Sequence, residues 1–352
     1  MKLGLSYVVI RTHALIANLL SQAQTQRLAE SKDVEEFLER LAETPYGRIT
    51  VEGTSMVPIA LERVFYEKFL ERVLKIVDLT PQKIGDFLQT YYYLRFETLN
   101  LKRIIRGKFS GLPSEKIMES LVPINPYLVP SYRELADSAS VGEAVNRLKG
   151  TPYSEVITKL KLYEQYEAIW PLELVLNHVF ANAIFEAVKT LPERDRRIVY
   201  NIVEYEADIE NFLVAMKQRQ GSKSGANLEE MFPATYRISL EKLREVIETK
   251  DLKKVIESLG ESYAKVLSPI YTGDVAMIRT GLRRHKYETV TSGKATNAFG
   301  FNVIMAYLVY SEIEKDNLVG VGWGKAQGIS SQELMKYVVI PRPSRAQPLL
   351  KP

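Results

Sequence analysis

The sequence predicts an all-α fold, and three observations predict it. Apolar residues recur at helical spacing in segment after segment, and alternating strand-like runs are rare and short. Glycine (19) and proline (16) together make up about a tenth of the 352 residues, too few for a turn-rich β architecture. Hydrophobic residues at 46% and charged residues at 26% are ordinary for a globular chain. At roughly 150 residues per domain the length allows two to three domains, each able to bury a core.

The clearest helices share one grammar. Residues 33–41 (DVEEFLERL) place Val34, Phe37, Leu38 and Leu41 at i, i+3, i+4 and i+7. Ser31 stands where it can cap the start, and Thr44-Pro45 ends the helix, because a residue before proline is driven out of the α region. Residues 140–148 (SVGEAVNRL) repeat the pattern with Val141, Ala144, Val145 and Leu148, and 251–259 (DLKKVIESL) with Leu252, Val255, Ile256 and Leu259. Residues 337–340 are one of the few extended-looking stretches.

These three helices are the first sign of an internal repeat. Leu41-Ala-Glu-Thr-Pro-Tyr46 matches Leu148-Lys-Gly-Thr-Pro-Tyr153, and Leu259-Gly-Glu-Ser-Tyr263 is a shorter third ending without the proline. A second anchor follows each: Glu97, Asn100 and Lys108; Asp208, Asn211 and Arg219; Glu314, Asn317 and Lys325. Tyrosine to asparagine spans 54, 58 and 54 residues, so one helical unit of about 110 residues is used three times. Proline-marked stretches near Pro123 and Pro233 place the repeats at 1–122, 123–232 and 233–340, followed by a mobile tail over 341–352. On a helix the acid, the asparagine and the base of the second anchor fall within about 80° of arc, with the acid and base roughly 16 Å apart. They cannot pair with each other, so each meets another segment or a partner, as a buried polar anchor or as a docking surface repeated three times. In the third copy Gly320, Gly322 and Gly324 should break the helix early, since each glycine costs about 1 kcal/mol against alanine.

Little in the chain points to chemistry. With no cysteine there is no disulfide, thiolate metal site or thiol nucleophile. His13, His178 and His285 are too far apart in sequence for a histidine metal motif, and His178 lies in an apolar run that reads as core. Ser292-Gly293-Lys294-Ala295 has the Gly-Lys of a phosphate loop, yet lacks the following Ser or Thr and has Glu288 where the first glycine belongs. Gly221-Ser-Lys-Ser-Gly225 reads as a flexible loop, and no nucleophile elbow is present. We therefore expect no catalytic residue, cofactor, metal or small-molecule substrate. A net charge of +4 is too balanced to demand nucleic acid, and no apolar run approaches the roughly 20 residues of a membrane span. Arg11 and His13 interrupt the one stretch that looks faintly like a signal peptide, so a cytosolic chain is expected. Two basic clusters, Lys102, Arg103, Arg106 with Lys108, and Arg279, Arg283, Arg284 with Lys286, are solvated helix faces or contacts for an acidic partner, a lipid surface or RNA. The tyrosines at 91–93 point to different sides at helical spacing, which disfavours an RNA-stacking platform.

The run Tyr92-Tyr-Leu-Arg-Phe-Glu97-Thr-Leu-Asn100-Leu-Lys-Arg-Ile-Ile-Arg-Gly107-Lys108 resembles the C subunit of archaeal A-type ATP synthases, the counterpart of the d subunit in V-type ATPases. Residues 7–20 (YVVIRTHALIANLL) and the Leu-x-x-Thr-x-Tyr46 ending are similar to that family too, and both anchors recur through the chain. The resemblance implies three related helical domains around a pseudo-threefold axis, forming a funnel. It also implies a rotor adaptor between the central stalk and the membrane proteolipid ring, coupling ATP synthesis or hydrolysis to ion movement without chemistry of its own. On that reading the chain is peripheral to the cell membrane. From the residues alone, a free-standing helical adaptor or an RNA-binding scaffold also remains open.

Overall fold

The computed structural model describes residues 4–49, 57–220 and 228–340, and within them every regular element is a helix. In chain order these are α1 (Leu5–Ala17), α2 (Gln22–Ala29), α3 (Val34–Ala42), α4 (Val57–Leu79), α5 (Gln82–Phe109), α6 (Ser114–Glu119), α7 (Tyr132–Ala136), α8 (Val141–Asn146) and α9 (Leu160–Tyr166). They continue as α10 (Trp170–Val188), α11 (Glu193–Gln220), α12 (Leu228–Met231), α13 (Leu240–Glu248), α14 (Leu252–Ser258), α15 (Glu261–Leu267), α16 (Val275–Thr296), α17 (Phe301–Ala326) and α18 (Ser331–Tyr337). Two 3₁₀ turns, Ser154–Lys159 and Ser268–Thr272, interrupt the series. The expected all-α class holds among the described residues. The extended-looking 337–340 stretch is the last residue of α18 and the coil after it, with no strand formed.

Local chemistry accounts for the three short helices read from sequence, which form α3, α8 and α14. Their caps are Asp33, Ser140 and Asp251, each accepting a bond from the backbone N–H three residues on. Ser31 does not cap α3; it is buried two residues upstream, and the carboxylate of Asp33 takes the role. The Thr-Pro-Tyr ending works through its threonine. Thr44 donates to the Leu41 carbonyl and accepts from the Tyr46 N–H, and Thr151 does the same for Leu148 and Tyr153. The hydroxyl thus adds a second donor to a carbonyl that already accepts the threonine N–H, and fixes the turn that delivers the tyrosine.

The chain divides into two compact units, one running Val73–Tyr271 and the other joining Ser6–Arg72 to the segment from Thr272 onward. In the first, α10 packs against both α5 and α11, α11 against α13, and α6, α7 and α8 line α5. Its core gathers Leu101, Ile104 and Ile105 of α5 with Leu135, Val145, Tyr153 and Val175. In the second, α16 and α17 form a helical pair, and α17 also packs on α2, α3 and α18. Phe37, Leu41, Tyr46, Phe65, Leu318 and Val321 form that core.

Helix α17 runs unbroken through Gly320, Gly322 and Gly324, contrary to the early break the glycines suggest. The reason is packing. A Cβ on Gly324 would lie 2.2 Å from Leu334 Cδ2, so glycine lets α18 close onto α17, while one on Gly322 would touch Leu61 and Phe37 at ordinary contact distances. At Gly322 and Gly324 the burial of those neighbours outweighs the roughly 1 kcal/mol propensity cost, whereas Gly320 is exposed with nothing within 4 Å of an added Cβ. Gly107 of α5 plays the same part against Ile117 of α6, whose Cγ1 would stand 2.5 Å from an added Cβ.

Candidate functional site

The acid, asparagine and base of each set lie on the three longest helices, α5, α11 and α17, and each carboxylate is buried. Glu97 of α5 accepts from the backbone N–H groups of Tyr127 (2.6 Å), Leu128 (2.9 Å) and Val129 (3.3 Å), and from the Tyr153 hydroxyl (3.0 Å). One turn on, Asn100 clasps the Val122 peptide in both directions, donating to its carbonyl at 3.0 Å and accepting its N–H at 2.8 Å. Lys108 donates to the Ala136 carbonyl at 3.1 Å. A buried carboxylate without such donors would carry a desolvation penalty of several kcal/mol.

The second and third sets follow the same plan with different donors. Asp208 of α11 accepts from the N–H groups of Arg237 (3.1 Å) and Ile238 (3.3 Å) and from the Tyr263 hydroxyl (2.7 Å). Asn211 donates to the Ala234 carbonyl, and Arg219 reaches the carbonyls of Val246 and Thr249. Glu314 of α17 accepts from the Leu20 N–H (2.5 Å), the Tyr46 hydroxyl (2.8 Å) and the Arg72 guanidinium (2.7 Å). Asn317 clasps the Val339 peptide as Asn100 does Val122, and Lys325 donates to the Ser331 hydroxyl.

Burial sets the electrostatics of these groups. It lifts the Asp208 carboxyl from its ordinary 3.8 to about 6, against the opposing pull of its three donors. Burial beside a carboxylate also raises the hydroxyls of Tyr46, Tyr153 and Tyr263, which keeps all three protonated as donors. Tyr263 stacks on Tyr205, with ring centroids 4.5 Å apart, so its hydroxyl is held by packing as well as by Asp208.

Sequence grouping and spatial grouping differ in one respect. Tyr46, which precedes Glu97 in the sequence, meets Glu314 instead; Tyr153 meets Glu97 and Tyr263 meets Asp208. The first two carboxylates therefore take the tyrosine that follows their own asparagine, and the last takes the first tyrosine of the anchor series. Sequence reading also missed Arg72, whose guanidinium faces the Tyr46 ring as well as Glu314. The backbone donors it missed are invisible to side-chain motifs.

The basic clusters are largely engaged within the protein. Lys102 donates to Asn177, Arg103 to the Ser120 carbonyl and Arg106 to Glu173. Arg283 and Arg284 reach the carbonyls of Tyr337 and Lys336, while Arg279 is exposed. Lys286 is not on a surface: it is buried, with its Nζ 2.6 Å from Glu312. Tyr91 and Tyr92 are likewise buried, so they offer no face for base stacking. Ser292–Ala295 lies inside α16, where helical bonding occupies the backbone N–H groups a phosphate would need. The run at 221–225 and the tail at 341–352 fall outside the described residues. His13 bonds the Ala298 carbonyl, His178 bonds Asn182 and His285 lies 3.5 Å from Thr289; His178 is half-buried rather than fully in the core. Among the described residues no group of three metal-ligating side chains converges, and no helix is long and apolar enough to cross a membrane.

These contacts define a helical scaffold, in which buried polar groups tie long helices to the segments around them. The chain belongs to the family described as ATP synthase (C/AC39) subunit, whose model matches residues 8–337. It is 26% identical to the C subunit of the A-type ATP synthase of Methanocaldococcus jannaschii, over 95% of this chain and 86% of that one. The corresponding C subunits of Methanothermobacter thermautotrophicus (25%; 95% and 87% covered) and Archaeoglobus fulgidus (23%; 95% and 96%) are similar over the same extent. The family expected from the sequence is the family matched.

Proposed function

We propose that this chain is the rotor adaptor of an A-type, or closely related V-type, ATPase. It joins the central stalk to the membrane proteolipid ring, transmits torque between ATP turnover and ion translocation, and performs no reaction itself. The observation that carries this reading is the family match over residues 8–337, with relatives named as the C subunit of A-type ATP synthases along nearly the whole chain. The buried anchors support it physically. Torque is lost wherever a shaft yields, and each long helix is held by a carboxylate, an asparagine and a base spaced along about 16 Å of its length. The three sets of contacts, alike in plan, also support three related helical domains. The domains open with α5, α11 and α17, and residues up to Tyr46 complete the third. The chain works at the membrane surface as part of the complex, without crossing it.

The test is assembly. Expressed with the central-stalk subunits and proteolipid ring of its source, the tagged chain should co-purify with both. Recovery of the chain with neither would overturn the proposal.

A further inference from the structure

Helix α1 leaves one face uncovered. Val8, Val9 and Thr12 point into the protein, whereas Tyr7, Ile10, Ala14 and Ala17 fall at i, i+3, i+7 and i+10 on the exposed side. Tyr7 is 48% exposed and Ile10 65%. The His13 ring bonds the Ala298 carbonyl at 3.3 Å, which brings the α16–α17 connection against the same helix. Its next residue, Phe299, is 75% exposed, more than any other large apolar side chain among the described residues. Three large apolar side chains therefore project to solvent from this helix and from the connection bonded to it.

The two chain segments that carry them hold charge of one sign only. Neither 4–29 nor 289–311 contains an acidic residue, while Arg11, His13, Arg27 and Lys294 lie within them. Arg11 is exposed on the same helix, its guanidinium 5.9 Å from the centre of the Tyr7 ring. The aromatic tip, aliphatic wedge and cation, standing out from the surface without an acid in either segment, suit a soft anionic layer that apolar side chains can enter. A groove for a partner helix would instead need walls, and side chains this exposed have none.

We propose that the face formed by Tyr7, Ile10, Arg11 and Phe299 docks on an anionic lipid surface, with Ile10 and Phe299 entering the headgroup region and Arg11 meeting lipid phosphate. This rests on the rotor-adaptor reading for the nearness of a membrane, but the contact belongs to the chain alone and is tested without the complex.

Flotation of the purified full chain with vesicles of phosphatidylcholine, alone or with anionic phosphatidylglycerol, provides that test. Binding should appear with the anionic vesicles and weaken in high salt. Ile10→Glu and Phe299→Glu should each reduce it by about tenfold, as expected when one large apolar side chain no longer leaves water. Arg11→Glu should reduce it as well, and all three variants should melt with the wild type because the side chains are exposed. No flotation with anionic vesicles, or flotation untouched by Ile10→Glu and Phe299→Glu, would overturn the proposal. A wild-type chain that ignores vesicles, with variants that fail to join the purified ring or stalk, would assign the face to a protein partner and refute the lipid contact. Failure of the rotor reading itself would show separately, as loss of co-purification with vesicle binding intact.

Discussion

Replacing Asp208 by asparagine isolates the energetics of a buried anchor. The carboxyl titrates near 3.8 when exposed and near 6 in the folded chain, chiefly because burial disfavours its charge. Between those values the folded protein holds more proton than the unfolded one. Stability changes with pH in the sense of protons bound unfolded minus protons bound folded, which is negative here, so this contribution falls as pH rises from about 4 to about 6. Two pKa units correspond to about 3 kcal/mol over the full window, of which about 1.4 kcal/mol lies between pH 5 and pH 8. Asparagine does not titrate and retains an oxygen for the N–H groups of Arg237 and Ile238. Urea unfolding of both proteins at pH 5, 6, 7 and 8 should therefore show Asp208→Asn gaining about 1.4 kcal/mol on the wild type across that range. A difference that stays flat would refute the reasoning. So would a wild type that gains on the variant as pH rises, since the three donors would then outweigh burial and hold the carboxyl low.

Two further substitutions probe helix α17. Glu314→Ala leaves Arg72 facing the Tyr46 ring without its carboxylate and should cost about 3–5 kcal/mol, with part recovered when Arg72→Met is added, both read by denaturant midpoints. Gly324→Ala places a Cβ against Leu334; despite alanine's better helix propensity it should lower stability by about 1–3 kcal/mol, and Leu334→Ala in the same chain should relieve part of that loss.

The legible part of this protein is what local pattern carries. Apolar spacing alone locates α3, α8 and α14 to within a residue or two, because an amphipathic stripe and a helix face are the same statement. The acid, asparagine and base of each anchor are also legible as a repeating set on one helix side. Their partners are not, because most are backbone groups: nothing in the sequence marks the peptides of Val122 or Val339 as the ones that Asn100 and Asn317 clasp. The meeting of Tyr46 with Glu314 was hidden by distance along the chain, since reading from left to right groups a tyrosine with the acid that follows it. Glycine misled in the opposite direction. Propensity treats Gly324 as a weakness, and only the approach of Leu334 reveals it as a packing requirement. The caps show the same limit at short range: Ser31 and Asp33 are both suitable residues, and burial of the first leaves the role to the second.

The rotor reading is tested most directly by locating the chain in the assembled machine. A reconstruction of the intact source complex by electron microscopy, with a small tag fused to this chain, should show it on the rotation axis between the central stalk and the proteolipid ring, turning with both. A tag found on the peripheral stalk or the catalytic head, or a stalk joined directly to the ring with this chain absent, would contradict the account.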